Sequence, residues 1–156
     1  MADPVSSLNI IIPVIVGIAI GILEAFFVYE DENMVSGKQF LGDMWHGFLF
    51  ALLGVLIATN VPFVLSLIQL PATVESILFV DEMGRSIVIS VLITIFMLTK
   101  MVASPAVKGV RGQGFKEKFW HKLVVAVAVG FSPYYIFLLY DIPFFVELQE
   151  TFPFPL

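Results

Sequence analysis

The chain has 156 residues, of which 59% are hydrophobic and 13% charged, with a formal charge of −5 and no cysteine. Soluble domains carry about 25% charged residues, so this composition points to a membrane protein of one domain at most. The missing cysteines exclude disulfides, iron–sulfur clusters and thiol chemistry. No Walker loop, Rossmann fingerprint, Ser–His–Asp set or pair of catalytic carboxylates occurs, which argues against an independent enzyme.

The first predicted element is the apolar run over residues 9–29, about the length that a bilayer requires of a helix. Ser7 or Asn9 is the expected N-cap, and Pro13 is tolerable near the first turn. No Lys or Arg precedes the run, so a cleavable signal peptide is not expected. Gly17, Gly21 and Ala25 recur at four-residue spacing, the small-residue pattern that lets membrane helices approach. Glu24 is the one ionisable residue in the run and shares the face of Gly17. A carboxyl group there is a functional-site candidate by default.

The second predicted span covers residues 44–70, long enough to require tilt or a kink at Pro62. Its small stripe is Gly47, Ala51, Gly54 and Ala58. Thr59 and Asn60 precede Pro62, where Asn60 is placed to bond a freed carbonyl or another helix. With Ser132, Pro133, Tyr134 and Tyr135 they could line a vestibule, but two locally repaired proline kinks account for the same residues. The stretch from Val74 to Glu82 mixes aliphatic and acidic residues and predicts a short interfacial helix.

The third span is expected over 86–103, ended by Ser104 and Pro105. Ser86, Ser90 and Thr94 form a hydroxyl stripe that continues to Lys100. Lys100 matches Glu24 in depth, so an ion pair between them is one expectation, and a snorkelling ammonium is the other. The basic loop 104–120 carries Lys108, Arg111, Lys116 and Lys118, candidates for headgroup contact or merely for fixing topology. The fourth span is expected over 121–140, with Ala126 and Gly130 as its packing residues and Pro133 inside it. The Phe- and Pro-rich tail 141–156 cannot continue as a span, and is expected in the headgroup layer or against a neighbouring subunit.

Seven of the eight basic residues fall on one side: Lys38 in the connection 30–43, and Lys100, Lys108, Arg111, Lys116, Lys118 and Lys122 within or flanking the connection 104–120. The positive-inside rule puts both connections in the cytoplasm and both termini outside. The expected fold is therefore an all-α four-transmembrane-helix bundle with short interfacial helical segments on the outer side. Three functions are compatible with it. The first is a structural or accessory subunit of a larger membrane complex, with lipid and other membrane subunits, of its own or another kind, as partners. The second is an oligomeric proton or ion channel or transporter, using Glu24 with Lys100, Asn60, Ser90 and Thr94. The third is a metal- or haem-binding subunit using Asp43, His46 and His121. The histidines match no metal-ligand spacing and each adjoins a Trp, so no cofactor is expected. The basic segment is short and lies at a membrane surface, so nucleic acid is not an expected partner.

Overall fold

A computed structural model describes residues 8–31, 38–68, 72–81, 84–108 and 118–151. Among the described residues there are helices and turns and no strand. In chain order the helices are α1 (Ile11–Asp31), α2 (Lys38–Thr59), α3 (Val61–Ile68), α4 (Ala72–Leu78), α5 (Ile87–Lys108), α6 (Phe119–Gly130), α7 (Ser132–Ile136) and α8 (Pro143–Thr151), with a 3-10 turn at Phe137–Leu139.

The packing follows from where the short side chains lie. Along α1, Gly17 and Gly21 sit against Leu52 and Phe48 of α2, and Glu24 sits against Gly47. The pairing runs in opposite chain directions, so α1 and α2 are antiparallel neighbours. A second pair, α5 and α6, closes through Gly130. A Cβ there would meet the Thr94 hydroxyl and lie 2.5 Å from the Ser90 carbonyl oxygen, so only glycine permits this approach. The two pairs join where Gly54 of α2 faces Met97 of α5 and Val129 of α6. Their shared core contains Ile12, Ala51, Val55, Met97, Val125 and Val129. Outward faces are apolar too, with Ile22, Phe26, Leu53, Ile57, Ile95 and Phe96 all exposed. Helices apolar on every side suit a lipid surrounding, because their backbone groups are satisfied internally.

By length and composition, the stretch Ile11–Glu30 of α1 can cross a membrane as one helix. Two further stretches meet the same measure only if each bent pair counts as one span. These are Met44–Thr59 with Val61–Ile68, bent by 78°, and Phe119–Gly130 with Ser132–Leu139, bent by 56°. The apolar part of α5 runs over Ile87–Ala103.

Three expected boundaries are corrected. The second element is not one kinked helix over 44–70: α2 begins at Lys38 and turns sharply at Asn60, ahead of Pro62. Pro62 has no N–H to give and its ring would meet the carbonyl four residues earlier, so α2 cannot run on through it, whereas in the first turn of a new helix it costs no hydrogen bond. The fourth element breaks at Phe131 for the same reason, Pro133 falling in the first turn of α7. The third helix does not end at Ser104 and Pro105 but continues to Lys108. Its start is capped by Ser86, whose hydroxyl accepts the Ile89 amide at 3.2 Å. Between Val74 and Glu82 the helical part is α4, which ends before Phe79, a residue with φ of 47°.

Replacing Gly130 by Val should separate α5 from α6. A loss of about 1–3 kcal/mol is expected for overpacking, read as a lowered thermal unfolding midpoint in detergent. A midpoint equal to that of the unsubstituted protein would contradict the close approach.

Candidate functional site

Two polar levels lie at opposite ends of the bundle. The first is at the Glu30 end. Glu24 is 6% exposed, and a Cβ on Gly47 would lie 2.8 Å from its Cγ. The carboxyl arm therefore occupies space that glycine leaves on α2. Lys122, in the first turns of α6, is 5% exposed, and its Nζ donates to the Met101 carbonyl oxygen at 2.8 Å. That carbonyl has a specific need. In a helix the amide four residues later is its partner, and here that residue is Pro105, which has no N–H. The buried ammonium supplies the missing donor, which explains why α5 runs on through the proline.

Lys100 takes no part in this level. Its side chain lies on an exposed face of α5, with Nζ 5.6 Å from the centroid of the Phe96 ring. In place of the expected Glu24–Lys100 pair, the structure has an exposed lysine whose ammonium lies over an aromatic ring.

Beside Lys122, His121 is 2% exposed and stacks on Phe27 of α1, with ring centroids 4.1 Å apart and planes within 7°. Trp120 packs edge-on against the same imidazole. The His121 Nε2 lies 4.0 Å from Glu30, which also pairs with Lys118 at 3.0 Å. His46 stands apart, exposed on α2, with Nδ1 2.6 Å from the Gly42 carbonyl oxygen. The side chains of Asp43 and Lys108 lie outside the description, as do residues Arg111 and Lys116. Among the described residues no group of three His, Asp or Glu side chains could hold a metal ion.

The second level is at the Asn60 end. Asn60 is buried at the turn between α2 and α3, and its Oδ1 accepts the Asn9 amide at 2.6 Å. Its Nδ2 donates to the carbonyl oxygens of Asn9 at 2.8 Å and Leu56 at 2.9 Å. The Asn9 side chain in turn donates to the Tyr140 hydroxyl. Asn60 and Asn9 together thereby join the start of α1, the α2 turn and the segment after α7. Thr59 bonds back to the Val55 carbonyl at 2.8 Å. Nearby, Arg85 pairs with Asp81 at 2.8 Å and lies over the rings of Tyr134 and Phe137.

Between the two levels, Ser90 and Thr94 meet Gly130, and the Thr94 hydroxyl donates to the Ser90 carbonyl oxygen at 2.8 Å. Ser132 bonds Val129 at 2.7 Å and Tyr135 bonds Ala128 at 2.5 Å, both to carbonyl oxygens, which repairs the break at Phe131. Ala51, Ala58 and Ala126 are buried in the aliphatic interior. Of the ion-pathway candidates, then, Ser90 and Thr94 are together, Asn60 is at one end, Glu24 near the other, and Lys100 faces outward. Lys122 was counted only among loop charges in the sequence. The available signal was its helical face: Lys122, Ala126 and Val129 align at spacings of four and three residues.

Compared with protein-family models, curated proteins and solved structures, the chain matches none.

Asn60→Leu should strand the Asn9 amide and carbonyl in an apolar setting and cost about 1–3 kcal/mol. Tyr140→Phe, which removes one acceptor, should cost about 1 kcal/mol. Thermal unfolding in detergent reads both, and equal midpoints for the two variants would contradict the central place of Asn60.

Proposed function

We propose that this protein is a small polytopic membrane protein serving as a non-catalytic structural or accessory subunit of a larger membrane complex. In this reading α1, α2, α5 and α6, the last with its bent continuation, each cross the bilayer once. Connections 30–43 and 104–120 then lie in the cytoplasm, with Lys118 and its basic neighbours near lipid headgroups.

What carries the reading is where the interior polar groups are spent. Lys122 bonds the backbone of α5, Asn60 bonds the backbone before α1, and Thr94, Ser132 and Tyr135 bond carbonyls on their own helices or across a break. Such groups hold helices in place, whereas a transport path needs them directed at a passing solute. The helices outside the main four add apolar surface, with Ile77 and Phe144 both exposed, and such surface suits a neighbouring chain.

A second reading, an oligomeric proton or ion channel, is favoured by Glu24, a carboxyl group held inside the bundle near one end. Purification in mild detergent separates the two. Fixed partner chains at constant stoichiometry, lost in an Ile77→Ser, Phe144→Ser variant with an unchanged thermal midpoint, are expected for the subunit. A homogeneous assembly of this chain alone, whose ion flux in vesicles disappears with Glu24→Gln, would contradict it.

A further inference from the structure

Helix register extends the Glu30-end level by one contact. Gly54 of α2 faces Val129 of α6, a Cβ on the glycine lying 2.5 Å from the valine Cγ1. The two helices run parallel, both leading from the Glu30 end toward the Asn60 end. Seven residues earlier on each is two turns, about 10 Å lower and rotated by only about 20°. That step carries Gly54 to Gly47 and Val129 to Lys122, so Lys122 reaches the level of Gly47 on the same face. Gly47 is the residue against which Glu24 packs from α1. The stacking of Phe27 on His121 sets α1 and α6 at the same height independently. Both charged side chains are more than nine-tenths buried.

We infer that Lys122 is the counter-charge of Glu24, and that the two close an ion pair across Gly47. With the bond from Lys122 to Met101, the pair ties α1, α2, α5 and α6 together at one level. Glycine at position 47 is part of the device, since a side chain there would stand where the Glu24 arm passes. The pair makes the α1–α2 half and the α5–α6 half mutually dependent, and assigns Lys122 a positioning role whether the chain is a subunit or an ion pathway. Opposite charges buried at one level among helices offset part of each other's desolvation cost.

The test is a thermal double-mutant cycle on the full chain in detergent. Glu24→Gln and Lys122→Met should each lower the unfolding midpoint by about 5 °C or more. The double variant should lose clearly less than the sum, and the exchanged pair, Glu24→Lys with Lys122→Glu, should recover stability relative to Glu24→Lys alone. Additive losses, or coupling of Glu24 to Lys100→Met instead, would overturn the inference. Should the variants fail to fold, the unsubstituted protein is treated with a membrane-permeant carbodiimide and digested. An amide cross-link between the Glu24 and Lys122 peptides is expected; Glu24 activated by the reagent but never joined to Lys122 would overturn it.

Discussion

A proline inside a helix leaves a carbonyl without its amide, and in an apolar interior that group has no water to turn to. Pro105 does this to Met101, and the ammonium of Lys122 answers it from the neighbouring helix. Much of the bundle's arrangement follows from that single bond. It allows α5 to continue through the proline to Lys108. It draws the start of α6 into the interior and so brings His121 onto Phe27. The lysine stem then lies beside Gly47 and Glu24, so the bundle's interior charge gathers at one end and the aliphatic core fills the space above. Buried charge is rarely the cheapest way to gain stability, but it discriminates strongly between registers, because a slipped helix would leave both the ammonium and the carbonyl unpaired.

The opposite end is held by uncharged groups. Asn60 does there with an amide what Lys122 does with an ammonium: it takes backbone groups that a turn has released and joins them to another segment. Each of three prolines that interrupt the backbone hydrogen bonding thus has a polar side chain near it that bonds a backbone carbonyl. Pro62 has Asn60 and Thr59, Pro105 has Lys122, and Pro133 has Ser132 and Tyr135. The polar residues of this otherwise oily chain are distributed by backbone need, and this is why a packing role is the more economical reading of them than a conduit.

Features that depend on neighbouring residues were readable from the sequence, and those that depend on distant ones were not. The apolar run at 9–29 becomes α1 with a shift of two residues, since nothing interrupts it. The helical segment around Val74 was visible in the mix of aliphatic and acidic residues, whereas Ser86, read only as part of a hydroxyl stripe, turns out to cap α5. The course of α5 past Pro105 was hidden because its remedy comes from the next helix. Choosing between Lys100 and Lys122 as the inward-facing lysine needed the face of α6 that meets α2, which only tertiary packing reveals. Asn60 advertised itself as a polar residue before a proline, but its partner Asn9 is 51 residues away and nothing local points to it.

The central claim is that this bundle turns its polar groups inward and an apolar surface to lipid. Spin labels on single cysteines along α1 test it directly, since the chain has no cysteine of its own. Labels at Ile18→Cys, Ile22→Cys and Phe26→Cys should collide freely with lipid-dissolved oxygen and hardly at all with a water-soluble nickel chelate. Labels at Ile20→Cys and Val28→Cys should be shielded from both. Nickel contact along the 18, 22 and 26 face, or equal oxygen contact on the two faces, would contradict the account.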